Sequence, residues 1–159
     1  MIQAVRIDDR LLHGQVAYSW KAKFNYQAIV IADDEVDNDE MRKSIIKMAV
    51  PSGVKLAIKN INNAIELLNN PKLKNINVFV IVSNPKSAYD ILNGINEKTT
   101  LNIGGMMKKD GTREFSKAVF MSNDDISWLD KIYELGIDID VRQTPNESNQ
   151  DYKTLRDKF

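Results

Sequence analysis

Residues 77–85, NVFVIVSNP, contain Val78–Val82, one of the two longest uninterrupted apolar runs of the chain. A strand that is apolar at every position is buried on both faces, as the central strands of parallel sheets are. Ser83, Asn84 and Pro85 follow directly, an order typical of a helix N-terminus with proline in its first turn. The stretch therefore predicts a central parallel strand that leads into a helix.

Short β-branched runs and segments of helical period alternate along the rest of the chain. We expect strands at Ile2–Ile7, Gln27–Ala32, Val54–Ile58, Asn77–Val82, Thr100–Ile103, Ala118–Met121 and Ile137–Arg142. We expect helices at about Gly14–Lys23, Asn38–Ala49, Ile61–Asn69, Lys86–Asn93 and Asp124–Leu135. This order predicts a single α/β domain over residues 1–159, with an open, mostly parallel sheet of about seven strands and helices on both faces.

Three segments late in the chain break the regular alternation. Ile137–Val141 alternates apolar with acidic residues, which predicts a last strand that is antiparallel and lies at an edge with one wet face. Met106–Phe115 is expected to form a hairpin or an excursion around a turn. Residues 147–159 are polar and predict either a short terminal helix or a loose tail.

The composition excludes several kinds of chemistry. The 159 residues include no cysteine and one histidine, and 22 Lys+Arg balance 22 Asp+Glu. The absence of cysteine excludes disulfides, thiolate nucleophiles and Cys-based metal sites, and one histidine cannot build a multi-His metal site. Zero net charge argues against nucleic acid as a partner. Met1–Arg6 does not resemble a signal peptide, and no apolar run approaches the roughly 20 residues of a membrane span. We expect a cytoplasmic protein without direct membrane insertion.

Ligands bind at the carboxyl ends of the strands in open parallel sheets, and the end of the first strand is the richest candidate. His13 lies there beside Gly14, with Arg10 three residues earlier and Asp8 and Asp9 before that. A helix that starts near Gly14 would point free amides at His13, and these amides with Arg10 could receive a phosphoryl group. Asp8 or Asp9 could accept a hydrogen bond from the imidazole or hold Arg10.

Simpler interpretations of these residues also fit the sequence. His13 could be a loop or capping histidine, with Arg10 and Asp8 as a surface ion pair. Asp33–Asp34 could cap a helix or bind a cation, and Asn102–Gly105 could be an ordinary tight turn or a backbone nest for an anion. The sequence contains no Walker-type loop and no Gly-x-Ser-x-Gly elbow, which disfavours nucleotide-driven transfer and serine hydrolysis.

Residues 5–16, VRIDDRLLHGQV, followed by Ser19-Trp20, closely resemble the N-terminus of the IIB component of the bacterial sugar phosphotransferase system (PTS), in its mannose/fructose/sorbose family. Further blocks resemble this family in the same order, so the resemblance covers essentially the whole chain. These blocks are Ile31–Asp34, Met48-Ala49, Asn102–Met106 and Pro145-Asn146.

The resemblance implies a phosphocarrier, a transferase of phosphoryl groups. His13 would accept a phosphoryl group on Nδ1 from a phosphorylated IIA component and donate it to a sugar bound by the membrane components IIC and IID. It implies no cofactor and no metal, and it associates the chain with the membrane through IIC and IID. The exposed edge strand would also permit a homodimer.

The same resemblance suggests roles for the neighbouring residues. Arg10 would be the phosphoryl clamp, and Asp8 and Asp9 would orient the ring or the arginine. Gly14 and Gln15 would contribute backbone amides. Ser83 is placed in the crevice by topology.

Two alternative functions remain at this stage. One is a receiver-like aspartyl phosphoacceptor, because an acidic pair after the first strand is also that class's magnesium-binding arrangement. Against it, the third strand ends in residues 57–60, AIKN, without the aspartate that would accept the phosphoryl group. The other is a non-catalytic regulatory module that binds an anion at Asn102–Gly105.

Overall fold

A computed structural model describes all residues, 1–159. The strands are β1 (Ile2–Asp8), β2 (Ala28–Ala32), β3 (Lys55–Lys59), β4 (Val78–Val82), β5 (Leu101–Gly105), β6 (Arg113–Ser116), β7 (Val119–Met121), β8 (Ile139–Val141) and β9 (Gln150–Asp151). The helices are α1 (Gly14–Phe24), α2 (Glu40–Met48), α3 (Ile61–Leu68), α4 (Pro85–Gly94), α5 (Asn123–Glu134) and α6 (Tyr152–Lys158). Two short 3-10 helices span Val36–Asn38 and Pro71–Leu73.

Seven strands form the main sheet in the order β3-β2-β4-β1-β5-β8-β9. All neighbours are parallel except β8 and β9, so the expected mostly parallel sheet with an antiparallel edge is confirmed. β4 is buried at every position, as its apolar sequence predicts. β1 lies between β4 and β5, and its Ile7 pairs with Val82 on one side and Ile103 on the other.

Helices cover both faces of the sheet. The buried residues of α1 and α2 belong to one apolar cluster, and those of α3, α4 and α5 belong to a second cluster on the opposite face. β1 supplies alternate residues to the two clusters, with Ala4 in the first and Val5 and Ile7 in the second. Neighbouring strands β1 and β4 therefore lead into helices on opposite faces, and open parallel sheets bind ligands at such a point, beside the carboxyl ends of the strands.

Two of the expected strands have different places in the structure. Val119–Met121 pairs with Arg113–Ser116 in a separate two-stranded hairpin and does not join the main sheet. Ile139–Val141 is parallel to β5 and lies one position inside the edge, which is formed by Gln150–Asp151. The alternation of apolar and acidic residues in this strand suggested a face exposed to water. In the structure, however, Asp140 accepts hydrogen bonds from the side chains of Asn102 and Arg142.

Local signals fix the ends of two helices. Asn84 caps α4 through the Ser87 amide, and a proline occupies its first turn. Ser122 and Asp125 form a capping box at the start of α5, and Gly136, with φ of 77°, follows the end of that helix.

The C-terminal segment 147–159 contains the edge strand and α6. Tyr152, at the start of α6, is buried, and its ring centroid lies 5.7 Å from that of Phe115. No helix of the structure has the length and apolar character needed to cross a membrane.

Candidate functional site

His13 lies at the N-cap position of α1, directly after the loop that leaves β1. Its backbone is extended, with φ of −147° and ψ of 151°, and its side chain makes no capping hydrogen bond. The side chain is 27% exposed. The alternative of a capping histidine is therefore wrong, and the imidazole is partly accessible to solvent.

Asp8 holds one nitrogen of the imidazole ring. Nε2 of His13 lies 2.9 Å from Oδ2 of Asp8, whereas Nδ1 has no hydrogen-bond partner. The Asp8 carboxylate is almost completely buried at the end of β1. An ionised carboxylate can only accept, so Nε2 carries the proton in this contact and Nδ1 presents a lone pair in the neutral ring.

A buried arginine lies behind Asp8. Arg6 is fully buried, and its Nη2 donates to Oδ2 of Asp8 at 3.0 Å. Its Nη1 donates to Oδ1 of Asn102 at 2.7 Å and to the carbonyl oxygen of Gln143 at 3.0 Å. The ion pair of this site is therefore Arg6–Asp8 in the interior, and the alternative of a surface ion pair between Arg10 and Asp8 is wrong.

The charge states of the pair follow from burial and mutual attraction. Burial raises the pKa of the Asp8 carboxyl, but the hydrogen bond with His13 and the charge of Arg6 outweigh it, so that the pKa lies below its ordinary value. Burial lowers the pKa of Arg6, and the charge of Asp8 opposes this shift. Asp8 is consequently an anion at neutral pH.

The side chains of Asp9 and Arg10 form no hydrogen bond with this buried pair. Asp9 accepts a hydrogen bond at 2.6 Å from the amide of Met107, so its carboxylate ties the loop to the segment after β5 and does not contact the ring. The Arg10 side chain is exposed and forms no hydrogen bond or ion pair, although its backbone amide donates to Oδ1 of Asp8. The Arg10 guanidinium therefore has no hydrogen-bond or ion-pair partner within the protein.

The loop between Asp8 and His13 is held in a tight conformation. The amide of Leu11 donates to the Asp8 carbonyl at 2.8 Å, and the amide of Asp9 donates to the Gly105 carbonyl at 3.1 Å. Leu11 adopts a left-handed conformation with φ of 57° while its side chain is buried against the α1 face of the sheet. Such a conformation costs a residue with a Cβ on the order of 1 kcal/mol, so it persists because burial of Leu11 stabilises it.

The N-terminus of α1 offers amides to an anion. Gly14 and Gln15 occupy its first two positions, where backbone N–H groups have no acceptor within the helix. The amide of Ala17 is the first to bond back, to the His13 carbonyl at 3.1 Å. No acidic residue lies in this first turn. The positive end of the helix is therefore not neutralised and favours a negative group beside His13.

The remaining candidates at this edge have partners of their own. The Ser83 hydroxyl donates to Oδ2 of Asp33 at 2.8 Å, and Oδ1 of Asp33 accepts from the amides of Glu35 and Val36. Asp34 accepts from the amide of Ile61. The acidic pair thus caps neighbouring backbone, and Ser83 has no hydrogen bond with His13.

The expected turn or nest at Asn102–Gly105 is wrong. These residues lie in β5, where they are buried and pair with β1. An anion-binding module at this segment therefore has no nest to use. The receiver-like alternative loses its support as well, because Asp8 pairs with Arg6 and His13, and no group of three or more His, Asp and Glu side chains is arranged to hold a metal ion.

Sequence reasoning gave Arg6 no role in the site, and it assigned Asn102–Gly105 to a turn or an anion nest instead of to contacts with Arg6. Arg6 and Asp8 are two residues apart on β1, and Asn102 and Gly104 are two apart on β5, so each pair shares a face. This spacing is a usable signal, because a charged pair on an otherwise apolar strand requires polar or small residues on the next strand. The pairing of Arg6 with Asn102 across the two strands is visible only in the structure.

The fold and the site together define the class of protein. The family model described as the PTS system sorbose subfamily IIB component matches residues 2–158, and the chain belongs to this family. Members of this family are phosphocarrier components of sugar phosphotransferase systems. They work with IIA components and with IIC and IID membrane components.

Individual relatives agree with this assignment. The PTS sorbose-specific EIIB component of Lacticaseibacillus casei is 38% identical over 151 residues, which cover 95% of this chain and 92% of that protein. The PTS mannose-specific EIIAB component of Escherichia coli K12 is 33% identical over 147 residues, covering 92% of this chain and 46% of that protein. The crystal structure of the IIBSor domain of the sorbose permease from Klebsiella pneumoniae matches with a TM-score of 0.94 at 32% identity, covering 99% of this chain and 97% of that chain.

Proposed function

We propose that His13 carries the phosphoryl group of a sugar phosphotransferase system. The observation that supports this role best is the asymmetry of its imidazole, in which Nε2 is held by the buried Asp8 and Nδ1 has no partner. The lone pair of Nδ1 would attack the phosphorus of a phosphohistidine on IIA. A new N–P bond forms as the N–P bond to the donor imidazole breaks, and Nε2 keeps its proton against Asp8.

Arg10, Gly14 and Gln15 would bind the phosphoryl oxygens. Phosphoryl transfer requires positioning and charge stabilisation, because there is little other covalent chemistry for the protein to perform. A guanidinium without a partner in the free protein can form paired hydrogen bonds to two oxygens, and the helix amides can bind a third. Ser83 stays a weaker prediction, because its hydroxyl donates to Asp33.

The second transfer would pass the phosphoryl group to a sugar held by IIC and IID. The chain would act in the cytoplasm and reach the membrane through these partners. A IIB-like sequence and a IIA component occur in one chain in the mannose-specific EIIAB protein, which supports direct exchange between the two. The carrier would meet the sugar at the transferred phosphoryl group alone, so we assign the choice of sugar to the membrane components. A homodimer through the edge strand stays a prediction.

The chemical stability of the phosphorylated protein tests this proposal. Label introduced from a phosphorylated IIA component should survive alkali and be lost in acid, because it is a phosphohistidine. A label lost in alkali would indicate a phosphoaspartate and thus a receiver-like acceptor. A protein that takes up no covalent label would instead be a binding module. His13→Gln, which keeps a polar side chain at this position, is the control and should take up no label.

A further inference from the structure

Arg6 is a second charged residue of the site, and it contacts no solvent. Its side chain lies on the α1 face of the sheet, fully buried, with Cζ 5.7 Å from the centre of the Trp20 ring. Burying a guanidinium is costly unless its N–H groups are bonded. Asp8, Asn102 and the Gln143 carbonyl accept from its two terminal nitrogens, whereas its buried Nε has no hydrogen-bond partner. A residue kept at this cost, next to the carboxylate that holds His13, has a role beyond packing.

The surrounding strand is shaped around the guanidinium. A Cβ on Gly104 would overlap Cζ and both terminal nitrogens of Arg6, so only glycine leaves room for the side chain at this position of β5. Asn102 accepts from Arg6 and in turn donates to Oδ2 of Asp140 at 3.0 Å and to the Arg142 carbonyl at 3.1 Å. Arg6 is therefore fixed from β5 and β8 as well as from its own strand.

Arg6 and His13 share one oxygen atom. Oδ2 of Asp8 accepts from Nη2 of Arg6 at 3.0 Å and from Nε2 of His13 at 2.9 Å, while Oδ1 accepts from the amide of Arg10. The orientation of the carboxylate is thus set from inside the protein by a fully buried, hydrogen-bonded group. Whichever nitrogen of an imidazole is bonded to a carboxylate carries the proton, and the other is left with the lone pair.

We propose that Arg6 is a positioning residue for His13, which fixes Asp8 and thereby directs Nδ1 of the imidazole outward as the reactive nitrogen. This inference rests on the proposed function of His13. It assigns to Arg6, Asn102 and Gly104 one shared purpose, namely to hold a carboxylate in one orientation under the ring. Three other charged residues lie in this region: Arg10 in the loop, Asp140 in β8 and Arg142 directly after β8. Among the carboxylates, only that of Asp8 contacts Arg6 directly.

The tautomer of His13 tests this proposal directly. His13 is the only histidine, so ring-nitrogen NMR signals of the whole chain report on it without assignment. We expect the wild-type protein to show the Nε2–H tautomer in its neutral form. Arg6→Lys keeps the charge but cannot reach three acceptors, so it should give a mixture of tautomers and slow phosphoryl uptake on the order of tenfold. Arg156→Lys is the matched control. Arg156 also forms an ion pair with a carboxylate, through two hydrogen bonds to Asp130, but both residues are distant in sequence from His13.

Two further variants separate positioning from folding. Gly104→Ala displaces the guanidinium without changing any charge, and Asn102→Ser removes one of its acceptors, so both should shift the tautomer in the same direction as Arg6→Lys. If the variants fold and keep the wild-type tautomer, the proposal is overturned. If all three variants fail to fold, the proposal is also overturned, because Arg6 would then serve the fold alone. If wild-type protein took up no phosphoryl group, the proposed function would fail while the tautomer would still decide the role of Arg6.

Discussion

Oδ2 of Asp8 lies 2.9 Å from Nε2 of His13, and this contact distinguishes the two ring nitrogens, since Nε2 donates to the carboxylate and Nδ1 keeps its lone pair. The aspartate next to it in sequence, Asp9, is turned away and bonds the amide of Met107. Two adjacent carboxylates therefore have different tasks, one beneath the imidazole and one at the junction of the loop with β5. This difference generates the first prediction.

Asp8→Asn should impair both transfer and stability, whereas Asp9→Asn should affect mainly stability. The change at Asp8 would leave Arg6 without its counter-charge in the interior, which costs about 3 kcal/mol, and the imidazole would lose its anionic partner. In the Asp9→Asn variant the side-chain carbonyl can still accept from the Met107 amide, so we expect a loss of about 1 kcal/mol or less. Urea unfolding and single-turnover uptake from phosphorylated IIA measure both effects. Equal uptake by the two variants would contradict the separate roles.

The pH dependence of stability should report the same pair. The pKa of Asp8 is lower in the folded protein than its ordinary value of 3.8, so the carboxylate stabilises the fold fully above pH 3.8. This contribution is lost as the pH falls through the folded-state pKa, because protonated Asp8 then resembles asparagine. We expect the difference in unfolding free energy between wild-type protein and Asp8→Asn to be constant near neutral pH and to shrink in acid. If the difference in unfolding free energy instead increased as the pH falls, the prediction would be contradicted.

Arg10→Lys should slow transfer without changing stability. The Arg10 side chain is exposed and forms no hydrogen bond or ion pair, so its replacement removes no polar contact from the folded state. Lysine keeps the charge but lacks the planar pair of donors that matches two phosphoryl oxygens. We expect uptake to fall by roughly tenfold at an unchanged urea midpoint. A wild-type rate would show that Arg10 provides charge alone or has no role in the transfer.

Gly14→Pro should remove one phosphoryl-binding amide while it preserves α1. Proline is well tolerated at the first helical position, and the residue before it, His13, already has the extended backbone that proline requires. A Cβ at Gly14 would meet no atom within 4 Å, so Gly14→Ala is a control that keeps the amide. We expect transfer to fall on the order of 10- to 100-fold in the proline variant and little in the alanine variant. Similar rates in both variants would show that this amide is not used.

Much of this arrangement is predictable from local sequence, and the exceptions have physical causes. The central strand Val78–Val82 is predicted by its apolar run. Strand β1 and helix α1 are predicted by their apolar periodicity and by the charged motif that lies between these two elements. The edge strand Gln150–Asp151 is two residues long, and two residues carry no periodic signal. Val119–Met121 has the composition of a strand, but composition does not state which sheet a strand joins.

The interior of the site is harder to predict than its surface. Arg6 is a charged residue in a strand, and its burial depends on Asn102 and Gly104, which lie almost a hundred residues later in the chain. Local patterns carry no register between β1 and β5, so they cannot place these residues together. His13, in contrast, is identifiable because it is the only histidine and stands at a helix start.

The position of the phosphoryl group tests the central claim most directly. Wild-type protein and His13→Ala are each incubated with phosphorylated IIA, and the modified residue and ring nitrogen are located by mass spectrometry and phosphorus NMR. His13 is partly exposed and its side chain forms a single hydrogen bond, so the alanine variant should stay folded. We predict one phosphoryl group on Nδ1 of His13 in the wild-type protein and none in the variant. A phosphoryl group on Nε2 or on another residue, or undiminished uptake by folded His13→Ala, would contradict the account.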